Sequence, residues 1–283
     1  MTTKDDALHT KIENPSQSVV FSARDTVDAG EFYDLPQGQL AVFLRKRPGR
    51  ETDNEDSVGI QLLVNGDSVF TVADGMGGAQ GGARASEIVV QTLHSTLSRS
   101  KKQDAGCREE ILNAFETANQ EILKLGIGAG STVATVELSG NQIRPFHAGD
   151  SQILLVGQRG KQKLLTVSHS PVGYGVEAGL IDAVDAIDHK ERHLISNHVG
   201  SSDMRIEIGS AVSMARRDTL LIASDGLFDN VHVAELLQLI RKGSLKKVCA
   251  NLVTLLTSRM AADDKAEPSK PDDVGFILYR RSL

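Results

Sequence analysis

Five short acidic segments each set carboxylates beside glycine or beside a run of apolar, strand-forming residues. They are Asn54-Glu55-Asp56, Asp74-Gly75-Met76-Gly77-Gly78, Gly149-Asp150-Ser151, Ser224-Asp225-Gly226-Leu227-Phe228-Asp229 and Asp272-Asp273. Carboxylates a few ångströms apart repel and raise each other's pKa. A fold that gathers these segments therefore needs cations among them, and hard oxygen donors suit Mg²⁺ or Mn²⁺.

The 283 residues allow one large domain or two ordinary ones. A content of 40% hydrophobic and 24% charged residues fits a globular chain, and 26 glycines against 7 prolines signal many turns. The formal net charge of −6, without a sizeable Lys/Arg block, gives no footprint of a nucleic-acid binder. Cys107 and Cys249 fall in helical patterns with no disulfide or zinc spacing. The polar Met1 to Asp6 stretch carries no targeting signal, and no apolar run reaches the roughly 18 residues of a membrane span. A cytoplasmic location, no membrane association and a monomer are the expectations.

Residues 1–38 read as a partly ordered N-terminal extension with one short strand at Val19 to Ala23. The strand-rich body is expected over 39–283. Leu40 to Leu44 and Ser57 to Val64 read as strands, and Asn65-Gly66-Asp67 predicts a tight hairpin into Ser68 to Ala73. Ala85, Ile88, Val89, Leu93 and Leu97 mark one helix face; Ile111, Leu112, Phe115, Ala118, Ile122 and Leu125 mark a second, ended by Gly126. Thr132 to Leu138, Ile143 to Phe146, Gln152 to Val156 and Lys163 to Val167 read as an antiparallel meander. Residues 168–208 are weakly patterned, with a short helix expected around Glu177 to Ile181, the mark of a functional or disordered segment. A buried strand at Asp218 to Ser224, helices at Val233 to Arg241 and Leu245 to Met260, and a last strand at Val274 to Tyr279 complete the pattern. Strands and helices in separate blocks argue for an α+β fold of antiparallel layers.

Two of the acidic segments repeat one arrangement. Ala73-Asp74-Gly75 and Ser224-Asp225-Gly226 each end an apolar strand in aspartate, and the glycine then lets the backbone turn and offer carbonyls to a ligand. Either aspartate could instead be a helix cap. Gly149-Asp150 taken alone fits an ordinary turn, and Asp272-Asp273 fits solvated charge. The repetition favours metal binding.

In order and spacing the segments, together with Gly130-Ser131-Thr132 and Ser168-His169-Ser170, resemble the metal-dependent serine/threonine protein phosphatases of type 2C, in a bacterial-like form, over about residues 40–283. The resemblance implies a sandwich of two antiparallel β-sheets flanked by α-helices. It implies hydrolysis of phosphoserine and phosphothreonine by a hydroxide bridging two Mn²⁺ or Mg²⁺ ions. Asp56, Asp74, Asp225 and Asp272 would hold the pair with the Gly75 carbonyl, Asp150 and Asp229 a third ion, and Glu55 would stand behind the ligands or reach metal through water. Arg50 would bind phosphate, although it lies six residues before Asp56 where five is usual, and Arg47 is the alternative. Met76 stands where many members have histidine, which leaves a metal-bound water as proton donor, and Asp273 stands where asparagine is common. Residues 168–208 would form a flap, with His169 a candidate substrate contact and His189, His193 and His198 solvated. Phosphorylated proteins and a cognate Ser/Thr kinase are the implied partners. The alternative function is a catalytically weak phosphatase-like module that binds phosphoproteins as a regulator.

Overall fold

The computed structural model describes residues 10–22, 25–78, 81–100, 106–262 and 267–282. Its local geometry begins where the hairpin signal lies. Gly66 takes a φ of +84°, which the tight turn requires, and the strands on either side pair from Leu62 opposite Ser68 to Asp56 opposite Asp74.

In chain order the first strands are β1 (Thr10–Lys11), β2 (Val19–Phe21), β3 (Val27–Leu35), β4 (Gly38–Arg45), β5 (Asp56–Leu62) and β6 (Ser68–Met76). Helices α1 (Gly81–Arg99) and α2 (Arg108–Leu125) follow. Then come β7 (Gly130–Ser131), β8 (Val133–Ser139), β9 (Gln142–Ala148), β10 (Gln152–Val156), β11 (Gln162–Leu165) and helix α3 (Pro171–Glu177). The chain ends with β12 (Glu207–Ile208), β13 (Val212–Ser213), β14 (Thr219–Ala223), α4 (Asp225–Phe228), α5 (Val233–Ile240), α6 (Leu245–Met260) and β15 (Val274–Arg281).

The strands build two mainly antiparallel sheets. One runs β1-β3-β4-β15-β14-β10-β11, and the other runs β12-β9-β8-β6-β5-β2, with β13 on β9 and β7 on β6. Leu40, Val42, Leu44, Ile60, Phe70, Val136, Ile153 and Ile277 fill the space between the sheets. The opposite faces are covered by helices: α5 and α6 pack Leu236, Val248, Leu252 and Leu256 with Phe43, Leu221 and Phe276, while α1 and α2 pack Val89, Leu93, Ile111 and Phe115 with Val69 and Phe146. The block pattern's α+β layers take the form that the resemblance implies, a sandwich of two mainly antiparallel sheets flanked by helices, and burial on both sheet faces explains why the strands read as continuous apolar runs.

Four local expectations are corrected. Residues 27–35, left in an extension by sequence reading, form β3 and pair with β4 from Val27 opposite Leu44 to Leu35 opposite Gly38. The short strand expected to Ala23 runs Val19–Phe21 against β5; Ala23 and residues 1–9 lie outside the described residues. The expected meander is two hairpins in different sheets, β8 with β9 and β10 with β11, because the chain crosses from one sheet to the other at Gly149-Asp150-Ser151. The helix expected at 177–181 is α3, six residues earlier, started by Ser170, whose hydroxyl accepts from Gly173 N–H, and by Pro171 at its first position.

Candidate active site

The hairpin register places Asp56 and Asp74 directly opposite one another at the same end of β5 and β6. Like charges in this position destabilise a sheet. At the same end of the other sheet, Asp225 follows β14 and Asp272 and Asp273 precede β15, and the two ends are tied by Ser224 N–H donating to Gly275 O at 3.0 Å. Ser224 also joins the sheets, since its hydroxyl donates to Asp56 Oδ2 at 2.6 Å and accepts from Gly275 N–H at 3.1 Å. A Cβ on Gly275 would stand 3.2 Å from Asp56 Oδ2, so glycine there lets the Asp56 carboxylate lie against the neighbouring sheet.

Gly75 is required by close approach: a Cβ there would meet Gly82 O at 2.0 Å. Its N–H donates to Glu55 O at 3.0 Å, which knits the Asp56 and Asp74 segments together. Asp150 enters from the sheet crossover. Gly149, with φ +113°, makes that bend, packed so close on Thr132 that a Cβ would lie 2.6 Å from the threonine Cβ. In α4 the helical turn carries Asp229 round to the face of Asp225, with Asp229 N–H donating to Asp225 O at 2.7 Å.

Repulsion among these carboxylates is visible in their proton affinities. Burial, then Asp273, Asp225 and Asp272, push Asp56 well above the usual carboxylate range against the Ser224 hydrogen bond. Burial, then Asp56, Asp225, Asp150 and Asp272, do the same to Asp74. Burial with Asp225 and Asp229 lifts Asp150 from 3.8 to about 8, and burial with Asp225 lifts Asp229 to about 6. Asp272 is raised by burial and Asp225.

The donor set fits divalent cations. Asp56 Oδ1, Asp150 Oδ1 and Glu55 Oε1 are buried with no hydrogen-bond partner, and unsatisfied buried anionic oxygens are costly unless a cation meets them. Hard oxygen donors of this kind match Mg²⁺ or Mn²⁺.

Glu55 Oε2 pairs with Arg50 Nη2 at 2.8 Å, so the Arg50 head stands at the cleft beside Glu55, with Asp273 Oδ2 3.5 Å from Nη1. The Arg47 side chain is exposed, and its N–H donates to Asp273 Oδ1 at 2.6 Å. Asp273 also accepts from Glu55 N–H at 2.7 Å. The aspartate found where asparagine is common is thus a clamp on the 47–55 loop.

His169 is buried and makes no surface for substrate. Its Nδ1 accepts from Gly149 N–H at 3.1 Å and from Asn197 Nδ2 at 2.8 Å, its ring stacks on His147, and Nε2 faces Glu207 at 3.1 Å. Two donors on Nδ1 put the proton on Nε2, so His169 braces the crossover through Gly149 and Asn197 and reaches Glu207 through Nε2, while His147 stacks on it and bonds Val167 O. His198 is half-buried over Gly130, and burial lowers its pKa; His193 is exposed.

Sequence reasoning missed two cations in the cleft. Lys270 Nζ lies 2.7 Å from both Asp225 Oδ2 and Asp229 Oδ2 and 3.2 Å from Asp272 Oδ2. Burial works against its charge, but Asp225 and Asp229 outweigh that and hold its pKa above the usual lysine value. Arg192, from the 168–208 segment, brings Nε within 3.7 Å of Asp229 Oδ2.

Comparison with known proteins accords with this geometry. Residues 46–260 match the family model described as protein phosphatase 2C. Protein phosphatase PhpP of Streptococcus pneumoniae is 30% identical over 195 residues, covering 66% of this chain and 78% of PhpP. The serine/threonine phosphatase of S. agalactiae superposes with a TM-score of 0.73 at 26% identity over 85% of this chain and 98% of that one. The catalytic domain of serine/threonine protein phosphatase PstP, solved with two manganese ions, shares the fold with a TM-score of 0.66 at 22% identity, over 86% of this chain and 98% of that one. With a family match over most of its length and the family's acidic segments gathered at one end of the sandwich, the chain belongs to the protein phosphatase 2C family.

Proposed function

We propose that this protein is a metal-dependent protein serine/threonine phosphatase. The observation that carries the reading is the assembly of Asp56, Asp74, Asp225 and Asp272 at one end of the two sheets, with Asp56 Oδ1 left unpartnered in a member of the protein phosphatase 2C family. These four side chains and the Gly75 carbonyl would hold a pair of Mn²⁺ or Mg²⁺ ions, and Asp150 with Asp229 are the candidates for a third. Bound divalent ions supply acidified water for attack on phosphorus and positive charge against the phosphate.

The chain's own residues do the rest. Ser224 and Gly275 hold Asp56 in one orientation. Arg50, held beside Glu55 at 2.8 Å and Asp273 at 3.5 Å, would exchange those carboxylates for the phosphate, to which its planar fork offers two parallel hydrogen bonds. Met76 carries no titratable group, so solvent in the cleft protonates the departing serine or threonine oxygen. Substrates are phosphorylated proteins, and a cognate Ser/Thr kinase, a monomeric state and a cytoplasmic location complete the reading. Among the described residues no helix is long and apolar enough to cross a membrane. The relatives are named as phosphatases, which favours turnover over a binding-only regulator.

The test is hydrolysis of p-nitrophenyl phosphate and of phosphoserine and phosphothreonine peptides. Activity that requires Mn²⁺ or Mg²⁺ and disappears with chelator and in Asp74→Asn is the expected result. Full activity in excess chelator, or phosphopeptide binding without phosphate release at saturating Mn²⁺, would overturn it.

A further inference from the structure

Lys270 has no part in the mechanism above, yet it stands inside the acidic cluster. Its ammonium reaches Asp225, Asp229 and Asp272 together, which uses the three donors that a lysine has. Asp150 belongs to the same end of the cluster: its buried Oδ1 has no partner, and the lysine charge opposes the repulsion it feels from Asp225 and Asp229.

The position of this lysine is built into the fold. Asn230, fully buried, accepts from Lys270 N–H at 2.8 Å and donates to Lys270 O at 2.8 Å. The same amide donates to Gly226 O at 2.8 Å, and Arg259 Nη1 donates to Asn230 O at 2.6 Å. Pro271 follows and biases Lys270 toward extended backbone. With both peptide groups of Lys270 fixed to the residue that ends the Asp225–Asp229 turn, its side chain is delivered to these two carboxylates.

We propose that Lys270 is a tethered cation that takes the place of a third divalent ion beside Asp229, so that this chain holds two ions and not three. The proposal rests on the metal-dependent reading above. A divalent ion entering that end must displace the ammonium from Asp229 and the neighbouring Asp225, whereas the pair keeps Asp56, Asp74 and the Gly75 carbonyl clear of it.

The experiment counts Mn²⁺ bound per protein by equilibrium dialysis, with free Mn²⁺ read by electron paramagnetic resonance. Wild type and Lys270→Arg are expected to hold two ions. Lys270→Gln is expected to hold three, the third at least roughly tenfold tighter than any further ion on wild type, as the loss of charge-assisted bonds to two carboxylates implies. The double variant Lys270→Gln/Asp229→Asn should return to two, which locates the added ion. Circular dichroism establishes that each variant is folded, and Lys270→Arg supplies a charge-preserving variant. Three ions on wild type, or equal counts on wild type and Lys270→Gln, overturn the proposal. Binding of no Mn²⁺ to any of the four overturns the metal reading itself, and the proposal with it.

Discussion

The opposition of Asp56 and Asp74 across β5 and β6 makes Asp74→Asn a stabilising change in metal-free protein and a destabilising one in metal-loaded protein. Directly opposed residues have Cβ atoms about 4.5–5.5 Å apart. Two unit charges at about 5 Å in an effective dielectric of about 20 repel by about 3 kcal/mol. Asp56 is fully buried and Asp74 half-buried, and both hold protons more tightly than ordinary carboxylates, so the folded state either bears this repulsion or takes up a proton to relieve it. Either way the folded state carries a cost that asparagine removes, about 1–3 kcal/mol. The assay is urea denaturation in excess chelator. There Asp74→Asn should be more stable than wild type at pH 7.5, by an amount that shrinks toward zero as acid neutralises both carboxylates. In saturating Mn²⁺ the order should reverse, because a ligand at about 1,000 times its Kd stabilises by about 4.1 kcal/mol, more than the repulsion removed, and the variant forfeits that gain. The reasoning is refuted if Asp74→Asn is no more stable than wild type in chelator, or if its advantage does not change with pH.

Two further outcomes follow from the geometry. Asp273→Ala removes the acceptor of two backbone N–H groups, those of Arg47 and Glu55, and should cost about 2–4 kcal/mol in urea denaturation, with a raised KM for phosphopeptides because the loop bearing Arg50 is released; Asp273→Asn keeps one accepting oxygen and should cost about half as much. Asp150, lifted from 3.8 to about 8, binds its proton more tightly folded than unfolded, so in chelator its contribution to stability is greatest below about pH 4 and falls as pH rises toward 8; the stability advantage of Asp150→Asn over wild type should therefore widen across that window and level off above it.

Much of the site was legible because its information is local. Asn65-Gly66 sets Leu62 opposite Ser68, and the same register carried to the strand ends pairs Asp56 with Asp74. Strand–aspartate–glycine at 73–75 and 223–226 marked the two sheet ends that meet. What escaped depended on partners far away in sequence. The β3 segment, Val27-Asp28-Ala29-Gly30-Glu31-Phe32-Tyr33-Asp34-Leu35, has no clean alternation, and its pairing with β4 is broken by an irregularity between Val27 and Glu31. The switch of sheets at Gly149 leaves no trace in periodicity, because an apolar strand reads alike in either sheet of a sandwich. For α3 the signal was present: Ser170-Pro171 is a helix start, and weak patterning downstream drew the expectation past it.

Lys270 shows most sharply where reading from residues stops. A lysine ahead of Pro-Asp-Asp has every local mark of a solvated charge, and the Asn230 side chain that anchors its backbone lies 40 residues earlier. Its placement follows from the same electrostatics as the aspartates. Once β14 and β15 pair, Asp225 and Asp272 are brought to one edge, the α4 turn adds Asp229, and the sheet crossover adds Asp150. Four carboxylates so placed demand positive charge in the folded chain whether or not metal is present. A lysine delivered by a fixed backbone meets that demand at Asp225 and Asp229, while Asp56, held by the Ser224 hydroxyl, and Asp74 are left to the ions. The lysine donates to Asp225 and Asp229, while Asp56 Oδ1 and Asp150 Oδ1 have no protein partner.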